Sequence, residues 1–279
     1  MLTKKMFFPV GGGAELEERI YGALLVSKFF NTHLEVMVSE TDIKNSMPQL
    51  VAIPTDVLKR IENLQKESVS EDRQIFIDCC KKLGIEISTT AKEGKTTAHE
   101  TIKVGTRSIL VAQQSKFCDI VIAAAPPKGS ATATFESAIT CSGKPVIVIP
   151  RKLKEFKADK ILIGWNNSPE SSRAVTESIP LLQQAKEVKI VSSKAYTTES
   201  LSRIKDLRNY LLMHGIKTSF ELIKTTFIPG EALLKSAVEG KFDLMVAGAF
   251  GHRGLKERML GGASTYLLKN TPIPTFVSH

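Results

Sequence analysis

Leu244–Ser264 reads LMVAGAFGHRGLKERMLGGAS, and this stretch decides the fold class. An apolar run, Leu244–Ala247, has strand character and stops at Gly248. Gly251 follows, nine residues intervene before Gly261 and Gly262, and Ser264 opens a helix predicted to about Lys269. A buried-type strand feeding a glycine-rich loop and then a helix is the pattern of an open α/β sheet, in which ligands bind beyond the carboxyl ends of strands. Glycines there let backbone N–H groups reach an anion with no Cβ in the way. A helix start at Ser264 adds unpaired N–H groups and a favourable dipole for phosphate. A plain surface loop would tolerate the same glycines, but the place between strand and helix favours a ligand loop.

The segments upstream follow the same plan. Ile161–Trp165 reads as a strand. Ser168-Pro169-Glu170 is a helix start, with Ser as N-cap, Pro in the first position and Glu in the first turn, and the helix runs to about Gln184. Val188–Ser192 is a predicted strand, Leu201–His214 a helix stopped by Gly215, Lys217–Ile223 a strand, and Gly230–Glu239 a helix stopped by Gly240. A final strand lies in TPIPTFV, Thr271–Val277. Strands alternating with helices at this spacing imply a parallel sheet covered on both faces.

The order of these signals occurs twice. Lys4–Gly13 (KKMFFPVGGG) aligns with Asp159–Ser168 (DKILIGWNNS), Phe117–Ala125 (FCDIVIAAA) with Phe242–Ala249 (FDLMVAGA), and Lys144–Pro150 (KPVIVIP) with Thr271–Val277. Between them Leu83–Ser88 (LGIEIS) matches His214–Leu222 (HGIKTSFEL), each a Gly-Ile entry into a strand. A duplicated domain explains one order met twice. The expected division is residues 1–150 and 151–279, each an open, mostly parallel five-stranded sheet with helices on both faces, joined by the charged linker Arg151–Ala158. The first half carries an insertion around Thr41–Ser70, in which Asp56–Glu67 has helical spacing.

Composition bounds the function. The chain has 279 residues, 42% hydrophobic and 24% charged, with a net charge of +9. Those values exclude a disordered chain. No apolar run approaches the roughly 18–20 residues of a spanning helix, and the N-terminus lacks a signal-peptide pattern, so a cytoplasmic protein with no membrane partner is expected. Residues 1–153 hold 20 basic and 17 acidic groups, 20 − 17 = +3, and residues 154–279 hold 18 and 12, 18 − 12 = +6. Lys/Arg runs stop at two residues and aromatics are 6%, so no specific nucleic-acid surface is expected. The basic balance suits a phosphate-bearing ligand. Cys79, Cys80, Cys118 and Cys141 have no metal or disulfide spacing and read as buried reduced thiols. The five histidines show no i, i+4 pairing, which argues against zinc. Gly94-Lys95-Thr96 ends like a phosphate loop, but Thr89 stands where that pattern needs glycine.

Gly248-x2-Gly251-x9-Gly261, with its preceding strand, the PIPTFV ending and the ILIGWNNSPESS opening, resembles the nucleotide loop of ATP-binding universal stress proteins. The whole chain resembles the tandem form of that family. The resemblance implies that the backbone at Gly248, Gly251, Gly261 and Gly262 holds phosphate and ribose. Ser264 supplies a hydroxyl, and Trp165, Asn166 and Ser193 approach the adenine. It implies ATP or a related adenine nucleotide as ligand, with Mg as a candidate companion ion. It also implies an intramolecular pseudo-dimer whose halves pair through their last strands, Pro145–Ile149 and Pro274–Val277, with homodimerisation left open. Two positions depart from the family: Gly262 stands where Ser or Thr is usual, and Asn166 where an acidic residue is usual. In the first half the loop position reads Ala124-Ala125-Pro126-Pro127-Lys128-Gly129, without the glycine spacing and with prolines that have no N–H to give. No nucleotide is expected there through that loop. No catalytic residue is assigned. A stress-response sensor or regulator is the first reading. A slow ATPase or phosphotransferase on the same loop, and an interaction protein with lapsed sites, are the alternatives.

Overall fold

The computed structural model describes residues 3–10, 14–40, 54–127, 132–193, 197–224, 229–249, 266 and 270–279. Among them the chain runs through β1 (Lys5–Pro9), α1 (Leu16–Phe30), β2 (His33–Glu40), α2 (Thr55–Leu83), β3 (Glu86–Ile87), β4 (Thr97–Val104), α3 (Arg107–Gln114), β5 (Ile120–Ala124), α4 (Ala133–Thr140) and β6 (Val146–Ile149). It continues through β7 (Lys160–Gly164), α5 (Pro169–Leu182), β8 (Glu187–Ser193), α6 (Thr197–Met213), β9 (Ser219–Ile223), α7 (Pro229–Glu239), β10 (Leu244–Gly248) and β11 (Thr275–Ser278).

All eleven strands form one sheet, in the order β3-β4-β2-β1-β5-β6-β11-β10-β7-β8-β9. Leaving aside β3, the strands before residue 150 follow the order third-second-first-fourth-fifth, and those after it repeat that order in mirror image. Every pair is parallel except β6 with β11, which run antiparallel with Val148 opposite Thr275 and Ile147 opposite Phe276.

Strands buried on both faces need apolar residues at every position, and these have them. Met6, Phe8, Ile122, Ile147, Ile149, Ile161, Ile163, Val246 and Phe276 face one core, while Phe7, Val121, Val146, Val148, Leu162, Met245 and Val277 face the other. Both cores run unbroken across the β6–β11 junction.

Four details differ from the sequence reading. The helical insertion is not confined to Asp56–Glu67. Its spacing is the start of the 29-residue α2, because neither Gly nor Pro interrupts the chain until Gly84, whose φ of +64° closes the helix. Leu83–Ser88 gives only the two-residue edge strand β3. The strand matching β9 is β4, Thr97–Val104 (TAHETIKV), half-buried and rich in polar residues. The linker Arg151–Ala158 is not a free tether. Leu153, Phe156 and Ala158 are buried, and Phe156 stacks edge-on against Phe29 at 5.0 Å. Finally, three of the four cysteines are buried, but Cys141 is exposed, in the turn after α4. Among the described residues no helix is long and apolar enough to cross a membrane.

Burial pushes the Cys79 thiol up to about 11 and those of Cys80 and Cys118 up to about 12. Thiolate is the reactive form, so these three are inert near neutral pH. Thiol titration of the native protein at pH 8 is expected to give one fast-reacting group, Cys141, and four groups in denaturant. Two or more fast groups in the folded protein would contradict this core.

Candidate functional site

In a sheet of this strand order the chain reverses its direction of travel between the first and fourth strands, and the helices on either side diverge there to leave a crevice. In the second half that point lies between β7 and β10. The register pairs Ala247 with Gly164, and Gly164 with Val191, so the next residues, Gly248, Trp165 and Ser192, come level at the carboxyl edge. Trp165 and Asn166 follow β7 directly, and Ser193 closes β8. Three of the expected adenine contacts are thus carried by adjacent strand ends.

The turn from β7 into α5 is held by its own polar groups. The Ser168 N–H donates to Asn166 Oδ1 at 3.1 Å and to Ser171 Oγ at 3.1 Å, and Ser168 Oγ accepts from the Ser171 N–H at 3.2 Å. This is the expected N-cap, with Ser171 as the reciprocal partner. Asn167 takes the left-handed conformation, φ 60°, that the tight turn requires. The Asn166 carbonyl oxygen is therefore engaged locally, and its amide N–H2, on an exposed side chain, is the end that can face a ligand. Trp165 donates its backbone N–H to Val191 at 2.9 Å, while its buried indole Nε1 has no hydrogen-bond partner among the described residues. A buried donor without a partner is costly, and a ligand acceptor would remove that cost.

Gly248 has a second role that its place in the loop pattern did not announce. A Cβ there would lie 2.5 Å from the Ser171 backbone nitrogen and 2.8 Å from the Glu170 carbonyl carbon. The absence of a side chain at Gly248 lets the first turn of α5 close onto β10. Glu170 in that turn is 3% exposed, and its carboxylate lies 3.6 Å from Arg173. The sequence signal for Glu170 was its first-turn position, where the helix dipole favours an acid. Gly251, Gly261, Gly262 and Ser264 lie outside the described residues. No group of three or more His, Cys, Asp or Glu side chains suited to a metal is present among the described residues.

The first half has its own crevice at the same reversal, between β1 and β5. It encloses about 490 Å³ and is lined by Pro126 and Pro127, as the sequence placed them, and also by Arg19, Arg107 and Arg151. These arginines come from α1, the start of α3 and the residue after Pro150. No spacing rule connects them, and sequence reasoning missed them.

Residues 157–279 match the Universal stress protein family. No curated protein matches the chain. Among solved structures, a universal stress protein from Archaeoglobus fulgidus DSM 4304 is similar over 100% of this chain and 99% of its own, at 15% identity and a TM-score of 0.72. A protein of unknown function from Pseudomonas aeruginosa PAO1 is similar over 99% of this chain and 92% of its own, at 15% identity and a TM-score of 0.56. A universal stress protein solved in complex with cAMP aligns over 43% of this chain and 96% of its own, at 19% identity and a TM-score of 0.39. For the first two, at 15% identity, the likeness is one of fold over nearly the whole length: a mostly parallel sheet with helices around it.

Gly248→Ala is expected to lower stability by about 1–3 kcal/mol, the usual cost of forcing atoms into a packed contact. Chemical denaturation checks this. A neutral result would mean that α5 can slide away from β10 at no cost.

Proposed function

We propose that the chain is a tandem universal stress protein, with domains at residues 1–150 and 151–279, whose second domain binds ATP or a related adenine nucleotide in the cytoplasm. On this reading it works as a sensor or regulator in a stress response. The observation that carries the reading is that Trp165, Asn166, Ser193 and Gly248 lie at the carboxyl ends of the neighbouring strands β7, β8 and β10, inside the segment that matches the family. The unpartnered Trp165 Nε1 and the outward amide of Asn166 suit the mixed donor and acceptor edge of an adenine. The loop glycines Gly251, Gly261 and Gly262, with the hydroxyl of Ser264, would take the phosphates through backbone N–H groups. Mg2+ commonly keeps most of its waters and binds through substrate phosphates, so a companion ion would not need a protein cage. Pairing of the two halves through β6 and β11 fits the pseudo-dimer of this reading.

Analysis of acid-released nucleotide after purification is expected to yield an adenine nucleotide, and calorimetry about one ATP per chain. Gly251→Val or Gly261→Val is expected to weaken ATP binding by about two to four orders of magnitude, since two charge-assisted bonds at roughly 1.5–3 kcal/mol each are lost. Ser264→Ala should cost about tenfold, the worth of one hydroxyl contact. Gly262→Ser should tighten binding by restoring the usual hydroxyl. If Gly251→Val folds and binds ATP unchanged, the phosphates sit elsewhere and the reading fails. A stoichiometry near two would place a nucleotide in the first half as well.

A further inference from the structure

The crevice of the first half is built for an anion by other means. Arg19 is 4% exposed although it carries a charge, and its Nε donates to the Glu15 carbonyl at 3.2 Å. Arg151 is fixed by Glu15 Oε2 at 2.6 Å and by the carbonyls of Ala14 at 2.6 Å and Ala125 at 3.2 Å. Arg107 is positioned through Nε, which donates to Ser39 Oγ at 2.6 Å. Among the described residues, three guanidinium groups and one carboxylate, Glu15, line the cavity, 3 − 1 = +2. Asp72 on α2 acts on Arg19 and Arg107 from nearby but does not line it, and still leaves an excess of +1. Like charges gathered in a partly buried volume repel strongly. Burial first, then the charges of Arg151 and Arg107, pull the Arg19 pKa below its ordinary value, against the opposing pull of Glu15 and Asp72. An anion between the guanidinium groups would relieve that strain.

The remaining walls describe the rest of the ligand. Thr132 caps α4 by accepting from the Phe135 N–H at 3.2 Å, and both residues line the cavity. Ala123, Ala124, Pro126 and Pro127 form an apolar side. A volume of about 490 Å³ lies in the range of small-molecule sites. Guanidinium forks match the oxygens of phosphate, and the net positive lining suits the negative charge of a phosphate monoester.

We propose that the crevice between β1 and β5 binds a small phosphate monoester, its phosphate held by Arg19, Arg107 and Arg151 and its body against Pro126, Pro127 and Phe135. This site stands independently of the nucleotide reading of the second half. The monoester could be a sugar phosphate or a nucleoside monophosphate, and two probes separate them. Calorimetry of the full chain at low salt is to be run with ribose 5-phosphate and with AMP. Ribose 5-phosphate is expected to bind at one site per chain, and Arg107→Gln to weaken it by about tenfold or more, the worth of a charge-assisted bond, with the melting curve unchanged. Gly251→Val, in the second half, should leave this binding as it was. Binding of AMP but not ribose 5-phosphate, lost in Arg107→Gln, would keep the site and assign it to nucleoside monophosphates. Binding that survives Arg107→Gln, or that Gly251→Val removes, overturns the proposal, as does no binding of either probe at millimolar concentration. A measurement without variants covers the case in which Arg107→Gln fails to fold. Phenylglyoxal modification of the native chain, read by peptide mass spectrometry, should be suppressed at Arg107 by the probe that binds. Equal modification with and without saturating probe also overturns the proposal.

Discussion

Strands β6 and β11 meet antiparallel at the centre of the sheet, and the rest of the molecule is arranged about that contact. Each is fully buried along its length, VIVI on one side and TFVS on the other. A strand apolar on both faces cannot be left as an edge, because its backbone N–H and C=O groups would go unsatisfied beside hydrophobic surface. Pairing the two removes both edges at once. The outer strands of the joined sheet, β3 and β9, bear the solvent instead, and they are short or partly exposed. The linker Arg151–Ala158 makes the junction intramolecular, and its buried Leu153 and Phe156 dock it on α1. Burial of this kind contributes about 1.5–3 kcal/mol per large apolar side chain.

The junction also fixes where chemistry can occur. With the fifth strands joined, the strand-order reversals lie one strand further out on each side, between β5 and β1 and between β10 and β7. The reversal between β1 and β5 opens a crevice bordered by prolines and guanidinium groups. At the reversal between β10 and β7 the strand ends carry Gly248, Trp165 and Asn166 instead. Activity is set by such local residues rather than by the fold.

The sequence made the repeating parts legible, for physical reasons. β7 and α5 were readable because ILIG is unbroken apolar and Ser168-Pro169-Glu170 satisfies the first N–H groups of a helix. β5, β6 and β10 were readable for the same apolar continuity. β4 escaped because its position second from the outer end of the sheet leaves half its residues accessible, so TAHETIKV shows no apolar run. α2 was cut short because its first turns are exposed and charged, and among its described residues only Phe76, Cys79 and Cys80 near its end are buried in the core. The packing role of Gly248 was hidden because the atoms it avoids belong to Ser171 and Glu170, far away in sequence. The arginine crevice was hidden for the same reason: Arg19, Arg107 and Arg151 come together only when α1, α3 and the chain after β6 are placed around β1 and β5. Net charge pointed the other way, since the first half carries the smaller excess.

Why arginine should stand where glycine stands in the other half follows from what the backbone can offer. A glycine loop binds phosphate with N–H groups already fixed by the chain, at little entropic cost on binding. Pro126 and Pro127 have no N–H, so the backbone after β5 cannot serve in that way. Side chains must then reach the anion, and long flexible ones lose rotamer freedom on doing so. That loss is largely met in advance here. Glu15 and two carbonyls clamp Arg151, Glu15 O holds Arg19 in a buried position, and Ser39 orients Arg107. Glu15 is itself at φ 65°, a conformation unusual for a glutamate, and its carboxyl is held below the usual range by Arg151 and Lys152. A strained, ionised Glu15 that steers the arginines and still leaves the lining net positive is what a preorganised anion site requires.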